Sequence, residues 1–356
     1  MRIVLSNSSS KWGGVHTVTE TLARGFKERG HEVTVFCYPG GMLEERIRDV
    51  VAVEPIIKGM DLNPAAMMRA SAALRKHRTD VVLAMMKKDV RLTTPVAKTL
   101  GIPSIVRHAN DRALRGGLYD RIFFGVIPVH HVVNWLATRA TLLASAPWID
   151  STKVTVVYNG IDPAPFKTAK PAVLELPPNA FVFGFVGRLE VRKGLIDLAN
   201  AWRAVSSELT DAWLVIAGKG ADEAQARATL GDTPRVKWLG YRSDIPGVLA
   251  SLDVLVVPSH WEGFGLVAAE GLAAGVPVIA ARASSLPEII TDGVDGWLVP
   301  PKNPQALASA LIHASRHPEQ AAAMSVTGRA KIRGMFSLER MVEKYEEVLA
   351  TAVAKG

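Results

Sequence analysis

Short runs of β-branched and other apolar residues alternate with amphipathic stretches along the chain, a pattern typical of parallel sheets with crossover helices. In the first half, the apolar runs predict strands at about 2–6, 32–37, 80–85, 103–107, 129–134 and 154–158. The second half repeats the alternation and predicts strands near 181–187, 213–218, 236–240, 254–258, 277–281 and 296–299. The pattern therefore indicates an α/β protein with two doubly wound sheets.

The helices between these strands follow from apolar positions spaced three or four residues apart. Val15, Val18, Leu22 and Phe26 share one face of a helix predicted at about 14–29, and Gly30 ends it. Further helices are predicted at about 64–77, 304–316, 318–333 and 338–353.

A break in the pattern divides the chain. Residues 158–165, YNGIDPAP, are turn formers, and the segment that follows to Asn179 is rich in proline. A chain of 356 residues also exceeds the usual size of one hydrophobic core. We therefore predict two domains, 1–162 and 163–336, followed by a helical segment at 337–356.

Charge is distributed unevenly between the two halves. Residues 1–160 hold 22 Lys and Arg against 13 Asp and Glu, a net charge of +9, whereas residues 161–356 carry −1. A basic half favours an anionic partner, such as a membrane surface or a lipid-linked phosphate. A basic surface that only aids solubility is an equally good interpretation of the charge. We predict no nucleic-acid partner.

The sequence predicts a cytoplasmic location, peripheral on the inner face of the membrane if the basic half docks there. Residues 2–5 are too short an apolar run for a signal peptide, and no uncharged stretch reaches the roughly 20 residues of a membrane span. Cys37 is the single cysteine and lies in an apolar run, so it is interpreted as a buried thiol.

Ligands of doubly wound sheets bind beyond the carboxyl ends of the strands, so the residues that follow each strand are candidates for chemistry. Gly13 and Gly14 open the first helix, where the backbone can approach a phosphate closely, although a structural turn is equally open. The loop 187–194, GRLEVRKG, carries the cations Arg188 and Lys193. Binding of a diphosphate is favoured as their role over the alternative, a solvated basic turn.

The segment 262–270, EGFGLVAAE, follows another predicted strand. Gly263 and Gly265 free the backbone where a helix begins, and Glu270 lies about one and a half turns into that helix. Since the helix is almost entirely apolar, it is predicted to be buried, and Glu270 must be paired, hydrogen-bonded or functional.

Two further features are weaker by themselves. His108 follows a strand of the first half and is as readily structural as functional, and the glycines of Gly218-Lys219-Gly220 could pass under a flat base or form an ordinary loop. The chain has no Asp-x-Asp pair, Cys/His cluster, nucleophile elbow or P-loop. We therefore predict no metal and no cofactor, with leaving-group stabilisation by Arg, Lys and a helix dipole.

These motifs give the chain a family resemblance over nearly its whole length. The segments are ERGHEVTV, YNGID, VGRLEVRKG, VIAGKG, WLGY and PSHWEGFGLVAAEGLAAGVPVIA, and the last contains an E-x7-E motif from Glu262 to Glu270. Together they resemble the retaining glycosyltransferases of family 4. The resemblance implies the GT-B fold, in which two Rossmann-like domains face a central cleft and the last helix crosses back to the first domain.

The same resemblance implies roles for individual residues. The first domain would bind a glycan or lipid-linked acceptor, and the second a UDP or GDP sugar. The implied catalytic residues are His108, Arg188, Lys193 and Glu262. The implied donor-binding residues are Gly14, Gly187, Arg188, Lys193, Gly218, Gly220, Tyr241, Gly263, Phe264, Gly265, Leu266 and Glu270. Within this set, Arg188 and Lys193 would hold the diphosphate, Glu270 the ribose, and Glu262 would lie beside the transferred sugar.

The chain departs from the family pattern at Trp12, which precedes the glycine pair, and at Ala283-Ser284-Ser285, where similar proteins often carry glycine. The predicted function is transfer of a hexose-type sugar with retention, in cell-envelope polysaccharide or glycolipid synthesis, including lipopolysaccharide. A sugar-nucleotide epimerase of similar fold and a non-catalytic nucleotide-sugar binding module are the alternatives. A nicotinamide oxidoreductase is disfavoured, because G-x-G-x-x-G is absent.

Overall fold

A computed structural model describes residues 1–10, 13–57, 62–109 and 113–355, so Trp12 lies outside the described residues. The chain divides into two compact units. The first unit contains Met1–Gly160 and Leu338–Gly356, and the second contains Ile161–Ser337.

Parallel strands form the sheet of the first unit, in the order β3-β2-β1-β4-β5-β6-β7 within the described ranges. Their bounds are β1 Arg2–Asn7, β2 Glu32–Cys37, β3 Ala52–Glu54, β4 Val81–Ala84, β5 Ser104–His108, β6 His130–Val133 and β7 Val154–Val156. The strand order reverses between β1 and β4, and ligands of such sheets bind beyond the carboxyl ends of the strands at that point.

The helices of the first half are α1 Gly14–Glu28, α2 Met42–Ile47, α3 Pro64–Lys76, α4 Lys87–Thr99, α5 Leu118–Asp120 and α6 Leu136–Ser145. A π-helical turn, Arg121–Val126, follows α5 directly. The predicted apolar face of α1 is buried at Val18, Leu22 and Phe26, which belong to the same hydrophobic cluster as β1 and β2. The amphipathic spacing thus fixes which side of α1 meets the sheet.

The sheet of the second unit is also parallel, with the order β10-β9-β8-β11-β12-β13 among the described residues. Its strands are β8 Phe181–Val186, β9 Ala212–Ala217, β10 Val236–Gly240, β11 Val254–Val257, β12 Val278–Ala281 and β13 Gly296–Val299. Its helices are α7 Ala164–Lys167, α8 Leu195–Val205, α9 Glu223–Leu230, α10 Ile245–Leu249, α11 Leu266–Ala274, α12 Leu286–Ile289, α13 Pro304–Arg316 and α14 Pro318–Met335.

The C-terminal helix α15, Leu338–Lys355, completes the core of the first unit. Tyr345 and Leu349 are buried in the cluster that contains α1 and β1. The hydroxyl of Tyr345 accepts a hydrogen bond of 3.0 Å from Nε of Arg107, whose Nη2 donates to Asn159 at 2.9 Å. Buried Arg107, on β5, therefore connects this strand by hydrogen bonds to α15 and to Asn159.

Each predicted strand is present, with bounds within two residues of the prediction. The sequence pattern missed β3, because its three residues, Ala52–Glu54, are too few to show a period. Within the described residues, no helix has the length and apolar character that a membrane span requires.

Candidate functional site

The centre of the candidate site in the second unit is an ion pair between two predicted catalytic residues. Nζ of Lys193 lies 2.5 Å from Oε1 of Glu262, and the same oxygen accepts a hydrogen bond of 2.8 Å from Ser259. The side chains of Lys193 and Glu262 are only 16% and 5% exposed. Burial strengthens such a pair electrostatically, so it fixes both side chains at the carboxyl edge of the sheet.

Glycine brings the two loops of this pair together. Gly194 has a φ of +71°, and a Cβ built there would lie 2.0 Å from the carbonyl oxygen of Pro258, at the end of β11. His260 N–H also donates to the carbonyl oxygen of Arg192 at 2.8 Å. The loop after β8 thus packs directly on the loop after β11, which places Lys193 beside Glu262.

Arg188 occupies a different environment from Lys193. Its side chain is 64% exposed, and its Nη1 lies 2.7 Å from Oε1 of Glu190. Glu190 also pairs with Arg192, whose guanidinium lies 5.8 Å from the centre of the Trp261 ring. Arg188 and Lys193, the two residues predicted to bind a diphosphate, therefore pair with different carboxylates, Glu190 and Glu262.

Gly218 and Gly220 follow β9, and both are required by close packing. A Cβ at Gly218 would lie 1.9 Å from the carbonyl oxygen of Gly187, and one at Gly220 would lie 2.2 Å from that of Leu189. The glycines therefore let the loop after β9 pack against the loop after β8. This contact explains both glycines without a ligand, and Tyr241, after β10, is 72% exposed.

Helix α11 begins beside the ion pair and has no side-chain cap. Gly265 precedes it in the left-handed region, at a φ of +73°, and its first turn contains no acidic residue. The N–H groups of an uncapped helix start bind anions. Phe264 is buried with its ring 6.4 Å from that of Phe336, whereas Leu266 is 40% exposed.

Glu270 is the fifth residue of α11 and is half-buried. It makes no hydrogen bond or ion pair with the described part of the chain, and burial raises its pKa above the ordinary value. Desolvating a carboxylate without a partner costs free energy, so a contribution to the stability of the fold does not explain why Glu270 is an acid. A ligand that donates hydrogen bonds to it would supply one.

In the first unit, His108 ends β5 and pairs with a residue that the sequence reasoning missed. Its Nε2 lies 3.0 Å from Nδ1 of His131, on β6, and its ring lies 5.9 Å from that of Phe124. Burial, with the nearby charges of Lys87 and Arg107, lowers the pKa of His108 to about 4. His108 is therefore neutral at physiological pH.

The two glycines that open α1 have space around them. A Cβ at Gly13 or Gly14 would meet no atom within 4 Å, and neither residue has a left-handed backbone, since Gly13 is extended at a φ of 178°. The helix has no side-chain cap and no acidic residue in its first turn. Packing therefore does not require glycine at either position, in contrast to Gly218 and Gly220.

A second missed residue is Asp89, in the first turn of α4 at the reversal point of the sheet. It is fully buried, and burial raises its pKa to about 8, although the nearby Ser6 and Ser8 oppose the shift. Both carboxylate oxygens lack a hydrogen bond of good geometry. An acid in the first turn of an amphipathic helix resembles a surface residue, so the sequence carries no signal of its burial. No group of three metal-ligating side chains occurs among the described residues.

Comparisons with known proteins agree with this architecture. Residues 12–165 match the family model of Glycosyltransferase Family 4, and residues 180–317 match that of Glycosyl transferases group 1. A solved structure of Anabaena Alr3699/HepE in complex with UDP has a TM-score of 0.83 and 20% sequence identity, over 99% of this chain and 100% of that chain.

Two curated relatives extend over most of the chain. The Escherichia coli UDP-Gal:alpha-D-GlcNAc-diphosphoundecaprenol alpha-1,3-galactosyltransferase is 24% identical, over 89% of this chain and 88% of the relative. The lipopolysaccharide core biosynthesis glycosyltransferase LpsD of Rhizobium meliloti is 26% identical, over 96% of each. The chain therefore belongs to the family 4 (group 1) glycosyltransferases of GT-B type.

Proposed function

We propose that this protein transfers a hexose-type sugar from a UDP or GDP sugar to a hydroxyl of a glycan or lipid-linked acceptor in cell-envelope polysaccharide or glycolipid synthesis. The observation that carries the proposal is Glu270, a half-buried carboxylate that has no partner among the described residues and lies on a helix that starts beside the Lys193–Glu262 pair. Two vicinal ribose hydroxyls are hydrogen-bond donors that suit it. Relatives named for UDP-galactose and lipopolysaccharide synthesis support the same substrate classes.

The leaving diphosphate would bind at the start of α11. The uncapped N–H groups there and the ammonium of Lys193 offer positive potential to the departing oxygens. Arg188 would turn from Glu190 to the same group, since it is exposed and free to change rotamer. Neutralisation by these groups would replace a metal ion.

The transfer would retain the anomeric configuration. The bond between the anomeric carbon and the diphosphate oxygen breaks, and the acceptor hydroxyl oxygen bonds to that carbon on the same face. The hydroxyl proton passes to a phosphate oxygen of the leaving group. The protein would supply charge stabilisation through Lys193 and orientation through Glu262.

An anionic membrane is the proposed partner of the first unit, through the segment 118–126. Leu118 and Val126 are 76% and 62% exposed, and Tyr119 and Ile122 between them are 41% and 40% exposed, so the segment presents several large apolar side chains together. Cations lie beside them, because Arg91 packs over the Tyr119 ring at 5.5 Å and Lys98 donates to the Val126 carbonyl at 2.8 Å. Apolar side chains flanked by lysine and arginine suit a lipid headgroup region.

The test is a donor screen with an acceptor control. Purified protein is incubated with UDP and GDP sugars, with and without a lipid-diphosphate sugar acceptor and in the presence of EDTA, and released nucleotide and the product anomer are measured. Acceptor-dependent release that survives EDTA and yields the retained anomer is expected. Donor conversion without acceptor would indicate an epimerase, and donor binding without release would indicate a binding module; either outcome would overturn the proposal.

A further inference from the structure

The loop after β8 holds one carboxylate between two arginines, and the proposed transfer assigns this carboxylate no role. Oε1 of Glu190 lies 2.7 Å from Nη1 of Arg188, and its Oε2 lies 3.0 Å from Nε of Arg192. Each carboxylate oxygen therefore faces a different guanidinium. Glu190 thus pairs with Arg188, which is one of the two residues expected to bind a diphosphate.

Contacts on both sides hold Glu190 in place. Its N–H donates to the carbonyl oxygen of Arg188 at 3.0 Å, and its own carbonyl oxygen accepts a hydrogen bond of 2.7 Å from the N–H of Lys193. On the other side, the guanidinium of Arg192 lies 5.8 Å from the centre of the Trp261 ring, within the range of a cation–π contact. Arg192 can therefore keep Glu190 in position when Arg188 turns to another anion.

The pair of Arg188 with Glu190 differs in exposure from the pair of Lys193 with Glu262. Lys193 and Glu262 are largely buried, whereas Arg188 and Glu190 are each at least one-third exposed. Solvent screens an exposed ion pair, and breaking one changes an equilibrium constant by about 5-fold at most. A diphosphate can therefore take Arg188 from Glu190, but its binding is weakened by the free energy of the broken pair.

Competition is the specific effect expected of Glu190, because a carboxylate and a phosphate accept the same N–H donors of a guanidinium. Direct repulsion between Glu190 and a bound diphosphate is a smaller effect, since Arg192 continues to balance the carboxylate. A carboxylate that only relieved repulsion among Arg188, Arg192 and Lys193 would order the loop and strengthen diphosphate binding. The two roles thus predict changes of opposite sign when the charge of Glu190 is removed.

We propose that Glu190 is a positioning residue that keeps Arg188 paired while the donor site is empty and competes with the nucleotide diphosphate for it, so that the product nucleotide is released more readily. The inference rests on the proposed transferase function for the identity of the ligand. It adds to that function a residue that limits the affinity of the site.

The first arm of the test measures nucleotide affinity without catalysis. Calorimetry gives the dissociation constants of UDP and GDP for the wild type and for Glu190→Gln, which keeps the size of the side chain and removes its charge. We expect the variant to bind the nucleotide about 5-fold more tightly. Weaker or unchanged binding would overturn the proposal, because the carboxylate would then not oppose the ligand.

The second arm asks whether Glu190 acts through Arg188. Glu190→Gln is combined with Arg188→Gln, so that the four proteins form a double-mutant cycle. When Arg188 is absent there is no cation to compete for, and the gain in affinity from Glu190→Gln should fall below about 2-fold. A gain that persists in full without Arg188 would indicate a general effect of charge and would contradict competition.

A second glutamate of the same unit provides the matched control. Glu208 pairs with Arg316 and precedes β9, at the amino edge of the sheet. Glu208→Gln also removes an exposed carboxylate from an arginine, but far from the loop after β8 along the strand direction. It should leave nucleotide affinity unchanged, and a gain equal to that of Glu190→Gln would count against the proposal.

Transfer assays separate this inference from the proposed function. In Glu190→Gln, inhibition by the product nucleotide should become about 5-fold stronger, in line with its affinity. If the wild type transfers no sugar but the affinities show the coupling of Glu190 to Arg188, the proposed function fails and the inference stands. If sugar is transferred and the affinities show no coupling, the inference alone is overturned.

Discussion

Nζ of Lys193 lies 2.5 Å from Oε1 of Glu262, although 69 residues separate the two in the chain. A diphosphate that binds Lys193 must share this ammonium with a nearly buried carboxylate. The pair therefore links donor binding to the position of Glu262. Substitution of Lys193 should affect both activity and stability, and a second substitution at Glu262 separates the two effects.

Lys193→Ala should lower the rate of transfer roughly 100-fold or more, as loss of one anion-stabilising donor does. It should also lower the free energy of unfolding by about 3 kcal/mol, because Glu262 then keeps, within the described part of the chain, only Ser259 as a partner. Donor turnover and urea unfolding measure the two effects. In the double variant Lys193→Ala/Glu262→Gln stability should recover but activity should not, and recovery of activity would contradict the role in leaving-group stabilisation.

Glu270→Gln should leave the fold as stable as the wild type or more so, because an unpartnered carboxylate is removed from a desolvated site. Donor affinity should fall by about 10-fold or more, since a charged acceptor is lost. Thermal shifts with and without UDP measure both quantities. Glu319→Gln, at an exposed position of α14, is the control, and equal UDP affinity in the two variants would exclude Glu270 from the donor site.

Gly14→Ala should fold normally, because a Cβ there meets no atom within 4 Å. Transfer should nevertheless fall if the donor approaches this backbone closely. Gly334→Ala, which also has open space, should keep full activity. Gly218→Ala, in contrast, should destabilise the second unit, because its Cβ would clash with the Gly187 carbonyl oxygen. Full activity of Gly14→Ala would remove this residue from the site.

Asp89→Asn should change the pH dependence of stability. The pKa of Asp89 is raised to about 8 in the folded protein, so the native state binds a proton that the unfolded state releases above about pH 4. Stability from this group therefore falls as the pH rises from about 4 to 8. The asparagine variant should be more stable than the wild type at pH 8, on the order of 1–3 kcal/mol, and the difference should shrink at pH 5. Denaturant unfolding at the two pH values checks this, and a constant difference would refute it.

Leu118→Ser/Val126→Ser should weaken sedimentation with phosphatidylcholine vesicles that contain phosphatidylglycerol, because two exposed apolar side chains are lost. Val173→Ser, at an 86% exposed position of the second unit, is the control. Salt and removal of phosphatidylglycerol should weaken wild-type binding as well. Wild-type binding that is indifferent to both would contradict membrane docking.

The sequence predicted the two sheets well because strands such as β4, β11 and β12 are buried throughout and read as unbroken apolar runs. It also placed Lys193 and Glu262 at the same edge of one sheet. It could not predict their pairing, which depends on the close approach of Gly194 to Pro258. Nor could it distinguish Gly218, required by packing, from Gly14, which has open space.

His131 and Asp89 were missed for a different reason. His131 follows His130 in β6, whose sequence HHVV does not show which histidine is buried, and its partner is on a separate strand. Asp89 resembles an ordinary acid of a first helical turn. In both cases, burial by distant parts of the chain creates the unusual environment.

The attachment of Tyr345 and Leu349 to the core of the first unit has a consequence for synthesis. The second unit is continuous in sequence and can assemble as soon as residue 337 has emerged from the ribosome. The first unit lacks part of its interior, and one of the two partners of Arg107, until α15 has emerged as well. A nascent chain therefore exposes an unfinished amino-terminal half during most of translation, and a fragment that ends at residue 160 should depend on chaperones.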